Sequence, residues 1–200
     1  MRSILVSAPA PDVDVFSMLF LLSYVFLLRV PSEALPVVSS SIGVGDGLLT
    51  NDEHSRLACD GKTLTLVLAQ RKNKPFGSRL ERSCWCRKCK LTCPVHVLGR
   101  WINSLPHASK PFARISPKRA TDELRRRLQA QGCADAAAHV LKNFRRGHAL
   151  DLLESGAKLA EILRAGEWKS PAFLLYLDMT TLEKGAVMEA HLDESEDDAE

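Results

Sequence analysis

The run from Phe16 to Val30, FSMLFLLSYVFLLRV, leaves this chain few choices. It is about fifteen residues long, shorter than the roughly 20 apolar residues that a bilayer-spanning helix needs, and it closes on Arg29. The preceding APAPDVDV does not supply the basic opening of a secretory signal, since Arg2 is the single cation ahead of the run. The run is therefore predicted to be a buried core helix, with a targeting segment as the alternative and no membrane partner expected. Two hundred residues with 46% hydrophobic content are enough to close one core around it.

The formal net charge of +3 conceals an uneven distribution. Residues 189–200 hold seven of the chain's 24 acidic residues and none of its 27 Lys and Arg, so residues 1–188 carry 27 basic against 17 acidic side chains. Within residues 71–127 the imbalance sharpens to 16 Lys or Arg against three acids, Glu81, Asp122 and Glu123. A field of that sign suits a polyanion. The acidic tail, residues 193–200, has too much like charge to fold and is expected to be disordered.

Residues 1–13 show no periodicity and form an N-terminal linker. Residues 39–55, rich in Ser, Gly and Asp, form a loop. Leu64, Leu66 and Leu68 then alternate with Thr63, Thr65 and Val67, the pattern of a half-buried strand, and Asp60-Gly61 marks a tight turn ahead of it. Pro94–Leu105 is predicted as a short helix with Val95, Leu98 and Ile102 on one side and Arg100 on the other. The proline-bearing stretch 106–117 is a connector. Thr121–Gln131 reads as a basic amphipathic helix closed by Gly132, with Leu124 and Leu128 inward and Arg125, Arg126 and Arg127 around the outside. Such a run is either a solvated face or a contact surface for nucleic-acid phosphates, which set affinity and not sequence choice.

Four cysteines, Cys84, Cys86, Cys89 and Cys93, lie with His96 inside thirteen residues. Thiolates and an imidazole at this density make up a set from which a tetrahedral structural zinc site can be drawn. The spacing lacks two separated Cys pairs, and reduced, unliganded thiols are the alternative.

Between Lys142 and Tyr176 the apolar rhythm Leu152, Leu153, Leu159, Ile162, Leu163 predicts amphipathic helix. Gly156 and Gly166 stand where helices end, and Ser170-Pro171 is a start signal, a hydroxyl cap followed by proline in the first turn. Three short helices follow, with Arg145, Arg146 and His148 on the first and Tyr176 on the third. Thr180 and Glu183 form a capping box before a last helix.

Lys142 to Arg145, the leucine-rich helix with LLESGA, the GEW of Gly166 to Trp168 and then Tyr176 stand in the order of a known pattern. This layout resembles the catalytic domain of the tyrosine recombinases, the phage-integrase family with its Cre-like and DIRS-type retrotransposon branches. That family has histidine where this chain has Lys142, and here Trp168 precedes Tyr176 by eight residues. The resemblance extends back to the end of the apolar run, where Arg29 and Glu33 match the family's first catalytic arginine and its supporting glutamate. By itself Arg29 also fits a cation capping the dipole of a helix C-terminus.

The resemblance implies an α+β fold, mostly α-helical, in which a helical catalytic domain over residues 14–192 carries a small antiparallel β-sheet, and the family's N-terminal clamp domain is absent. It implies breakage and rejoining of double-stranded DNA through a 3′-phosphotyrosyl intermediate, or a DNA-binding remnant of such an enzyme. Arg29 and Arg145 would hold the scissile phosphate, Tyr176 would attack, and Lys72, or Lys74 in its place, would protonate the leaving oxygen. Lys142 would take the tyrosine's proton or hold phosphate, and Trp168 would donate its indole N–H. Glu33 would support the site, while His148 also fits a core histidine bridging helices. The chemistry uses no metal, the last helix implies self-association on DNA, and a DNA substrate implies nucleus or nucleoid.

Overall fold

The computed structural model describes residues 14–40, 54–71, 74, 76–84, 86 and 92–168. The chain divides into two compact units, Met1–His148 and Ala149–Glu200. Helix α1 (Val15–Val25) runs into a π-helical turn at Val30–Ala34, and four strands follow: β1 (Val38–Ser39), β2 (Arg56–Cys59), β3 (Thr63–Leu68) and β4 (Ser78–Ser83). Helices α2 (Pro94–Ser104), α3 (Pro117–Ala130), α4 (Lys142–Glu154) and α5 (Leu159–Gly166) complete the described chain, with a 3-10 turn at Ala136–Ala138.

As its composition demands, α1 is the buried centre of the first unit. Met18 through Leu22 and Val25 through Leu28 are all buried, as are Ser17 just ahead of them and Ser23 between them. Each large apolar side chain so enclosed contributes about 1.5–3 kcal/mol. The Ser23 hydroxyl donates to the Leu19 carbonyl at 2.7 Å, which satisfies it inside the helix. Phe20 stacks on Phe144 of α4 with ring centroids 4.9 Å apart, and Trp101 of α2 lies 5.5 Å from Phe112. No helix among the described residues is long and apolar enough to cross a membrane.

Both ends of α1 are held by arginines. At its start Asp14 caps the backbone N–H groups of Phe16 and Ser17, each at 3.2 Å, and is itself gripped by Arg127 of α3. At its end Leu27 adopts φ 52°, breaking the helix, and Arg82 of β4 donates from Nε to the Val25 carbonyl at 3.0 Å while lying over the Phe26 ring. Such contacts satisfy backbone groups that every helix end leaves open.

The sheet runs in the order β1-β2-β3-β4. Strands β2, β3 and β4 are antiparallel, with Leu57 opposite Leu66 and Leu66 opposite Leu80. The expected purely antiparallel sheet is corrected at its edge, because β1 pairs with β2 in parallel, Val38 against Arg56. The long connection between β1 and β2 is what permits this, since parallel neighbours need a crossover and not a tight turn. Ser39, expected in a loop, belongs to β1 and accepts the Ala108 N–H through its carbonyl at 3.0 Å.

Helix α2 buries Val95, Leu98 and Ile102 as expected, and Gly99 brings it onto β2: a Cβ there would stand 2.5 Å from the Cys59 sulfur. Helix α3 begins at Pro117, earlier than Thr121, because Ser116 caps it by accepting the Arg119 N–H at 3.2 Å. Its basic face also needs correction. Arg126 is 66% exposed, but Arg127 is only 15% exposed, and Arg125 donates to the His139 carbonyl at 2.9 Å. Arg127 sits three residues from Leu124 and so shares its inward face, where the guanidinium meets Asp14, the Ser17 hydroxyl and the Phe20 ring.

Glu123 gathers Arg126 and Arg127 at 2.7 and 2.6 Å. Hydrogen bonds from Arg126 first, then Arg127, outweigh its partial burial and hold its carboxyl down at about 2, from 4.5. A carboxylate whose folded value is depressed stabilises the fold above its unfolded value and loses that contribution as pH falls. The stability gap between the wild type and Glu123→Gln should therefore be full at pH 7 and close between about pH 4.5 and pH 2, as read by urea denaturation at stepped pH.

Candidate functional site

Two clusters stand out, and the first is built on Glu33. After α1 breaks at Leu27, Arg29 is extended (φ −80°, ψ 111°) and the π-helical turn that follows folds Glu33 back beneath it. The Arg29 backbone N–H donates to Glu33 Oε2 at 2.8 Å and its Nη1 donates to Oε1 at 3.1 Å. Arg71, just past β3, donates from Nε to the same Oε1 at 3.2 Å, and Arg145 of α4 brings Nη1 to 3.9 Å from Oε2. Side-chain exposure is 2% for Glu33, 3% for Arg71, 9% for Arg145 and 38% for Arg29. Three guanidiniums thus converge on one carboxylate, two of them buried and Arg29 reaching solvent.

A buried carboxylate is tolerated only when paired and hydrogen-bonded, and guanidinium is the cation suited to that, being always charged and weakly hydrated. The same group grips phosphate oxygens in two places. Glu33 is hydrogen-bonded to Arg29 and Arg71 and lies within ion-pair distance of Arg145, so it gathers guanidiniums from three parts of the chain at one place, as an anion site requires.

Of the residues expected near this point, Arg29, Glu33 and Arg145 are brought together. Lys142 is exposed at the first position of α4, one helical turn before Arg145. His148, one turn after Arg145, bridges α4 to α1: its Nδ1 lies 2.5 Å from the Tyr24 carbonyl, and its ring stacks on Tyr24 at 4.4 Å. Lys74 pairs with Arg71 across an isolated antiparallel bridge. In the second unit, Trp168 follows α5 with its ring packed on Gly166, where a Cβ would stand 1.9 Å from Cζ3. Lys72, Cys89 and Tyr176 lie outside the described residues, as do Ser170-Pro171 and the capping box at Thr180 and Glu183. Arg71 is the member that sequence reasoning missed. Its neighbour Lys72 drew attention as a basic residue after a strand, and the same signal applies to both.

The second cluster gathers Cys84, Cys86, Cys93 and His96, whose ligating atoms all lie within 4.8 Å of one another. Cys84 follows β4, where its backbone N–H donates to the Lys62 carbonyl at 2.7 Å. Cys93 is the N-cap of α2 and His96 stands in its first turn. Cys84 Sγ is 3.1 Å from Cys86 Sγ, 3.6 Å from Cys93 Sγ and 3.4 Å from His96 Nδ1, while Cys86 Sγ is 3.6 Å from that nitrogen. The Cys86 thiol is pushed up to about 11, first by its hydrogen bond to Cys84 and then by burial and Cys93.

These four residues form a cluster that can hold a metal ion. Tetrahedral zinc with Zn–S of about 2.3 Å and Zn–N of about 2.0 Å sets S···S near ~3.8 Å and S···N near ~3.5 Å, close to most of the separations seen. Of the five residues singled out in the sequence, these four form the described cluster, and Cys89 lies outside the described residues. The ligands arrive as two pairs, Cys-x-Cys from the end of the sheet and Cys-x2-His from the start of α2, so no single loop has to wrap the ion. A smaller group, Cys133, Asp135 and His139, also lies within reach of one ion, but these residues already bond each other, Cys133 Sγ to Asp135 Oδ1 at 3.0 Å and the His139 ring to the Asp135 carbonyl at 3.2 Å.

Comparison of the chain with family models, with curated proteins and with solved structures finds no match.

Proposed function

We propose that this protein breaks and rejoins strands of double-stranded DNA through a 3′-phosphotyrosyl intermediate, as tyrosine recombinases do. The observation that supports this most is the meeting of Arg29 and Arg145 at Glu33, because those two arginines come from distant parts of the chain and were singled out for one shared task. Opening a phosphodiester without a metal requires that charge growing on the non-bridging oxygens be neutralised. Two guanidiniums gathered at one buried carboxylate supply the neutralising charge in place.

In this reading Tyr176 attacks phosphorus. A phenol with an ordinary value of about 10 must give up its proton as it does so, and Lys142, in place of the family's histidine, accepts it or holds phosphate. The electron pair of the breaking P–O bond goes to the 5′ oxygen, which takes a proton from Lys72 or Lys74. Trp168 donates its indole N–H to a non-bridging oxygen. The covalent intermediate stores the bond energy, so a second DNA end reverses the step. Arg126, the exposed member of the α3 trio, and Arg125 contact phosphates. The protein self-associates on DNA and works in the nucleus or nucleoid. The ion in the Cys84, Cys86, Cys93 and His96 cluster is zinc, with a structural role.

The test is covalent capture on a pool of nicked duplexes of randomised sequence, in which the released short strand diffuses away and the adduct accumulates. Wild type should give a protein–DNA adduct that survives denaturation, Tyr176→Phe should give none, and Arg145→Ala should slow its formation by about 10² to 10³. Wild-type protein that binds the duplexes and yields no adduct would identify a DNA-binding remnant and overturn the enzymatic reading.

A further inference from the structure

We propose that Arg71 is a positioning residue that ties Lys74 to Glu33, and so sets Lys74 as the proton donor for the leaving oxygen; this rests on the strand-cleavage reading above. Strands β3 and β4 are paired from Leu68 opposite Ser78, and described residues between them are tied to one another. Arg71 and Lys74 exchange backbone hydrogen bonds of 3.2 and 2.9 Å, and the Gly77 N–H donates to the Lys74 carbonyl at 3.1 Å. Gly77 is needed there: it has φ +82°, and a Cβ would lie 2.4 Å from the Leu68 carbonyl oxygen.

The β3–β4 ladder and these backbone ties hold Arg71 and Lys74 next to one another, but they do not connect Lys74 to the arginines. The Arg71 side chain does, because its Nε reaches Glu33 Oε1 at 3.2 Å and only 3% of it is exposed. That carboxylate is the one that bonds Arg29 and lies 3.9 Å from Arg145. Lys74 is backbone-paired to Arg71, so the ammonium it carries is referred through Arg71 and Glu33 to the two arginines assigned to the phosphate. Lysine is long and flexible, and an anchored base confines the volume its ammonium samples. A proton donor so confined contributes about 10² to 10⁴ in rate, and a misplacement near 1 Å removes about 10² of it.

In the step concerned, the phenol oxygen bonds to phosphorus, the P–O5′ bond breaks, and its electron pair stays on the 5′ oxygen, which receives the lysine proton. Replacing that oxygen by sulfur removes the need for the proton, since a thiol ionises near 8.5 against about 15.7 for water. Adduct formation by wild type, Arg71→Gln and Arg71→Lys is then timed on otherwise identical nicked duplex pools with a 5′ oxygen or a 5′ sulfur at the nick-adjacent linkage.

The expected result is that Arg71→Gln is slower than wild type by about 30-fold or more with oxygen and by under about 3-fold with sulfur, with Arg71→Lys between. Variants slowed equally on both substrates, or on neither, would overturn the assignment while leaving strand cleavage standing. Wild type inert on both would overturn the cleavage reading, and the role of Arg71 with it.

Discussion

Glu33→Ala should cost this protein about 3–5 kcal/mol, a large part of the roughly 5–15 kcal/mol that holds a domain folded. The carboxylate is 2% exposed and accepts from Arg29 and Arg71, with Arg145 beside it. Removing it takes from Arg71 and Arg145, both buried and of like charge, the anion they share, and breaking a buried pair is far more costly than losing a surface pair. The loss is read by urea denaturation. Because part of the penalty is the like charge left around the vacated position, Glu33→Ala combined with Arg71→Met should recover stability relative to Glu33→Ala alone, a sign that a simple packing defect cannot produce. A loss under about 1 kcal/mol would mean that the carboxylate does not hold these guanidiniums.

Zinc removal should have the second large effect. Structural zinc in small domains contributes an apparent 10–16 kcal/mol or so to folding near neutral pH, and here the cluster ties the end of β4 to the start of α2. Metal analysis of protein expressed with added zinc should find one ion per chain. Chelation should lower the melting temperature by about 10 °C or more, given that 1 kcal/mol shifts a chain of this size by about 2–4 °C. Cys93→Ser and His96→Ala should abolish zinc retention, whereas Cys133→Ser should leave it intact. Stoichiometric zinc that persists in the Cys93→Ser variant would place the ion elsewhere.

The features legible in the sequence are those set by local rules. The run at Phe16–Val30 is too apolar to be anything but enclosed, the alternation at Thr63–Leu68 admits little besides a strand, and Gly156, with φ 84°, stands two residues past α4 because only such a residue turns there without strain. Ser116-Pro117 was equally legible by the rule applied to Ser170-Pro171, and the prolines of the connector hid it.

Features that depend on distant partners were not legible. Nothing local says that Arg127 turns inward to Asp14, that β1 pairs in parallel, or that Arg71 is buried against Glu33. His96 was counted with the cysteines but its pairing with Cys93 as Cys-x2-His depends on α2 starting at Pro94, which sets both ligands on its first turn. Arg29, Glu33 and Arg145 occupy an intermediate place. Each has an ordinary local explanation, and their convergence is visible only in the fold.

The chain contains two tyrosines, Tyr24 and Tyr176. Tyr24 is engaged with His148 in a ring stack at 4.4 Å, which leaves a clear division of roles for a single measurement. After capture on nicked DNA, digestion and mass spectrometry of the adduct should find the nucleotide phosphate on the peptide containing Tyr176. Attachment through Tyr24, or through a serine or cysteine, would contradict the account.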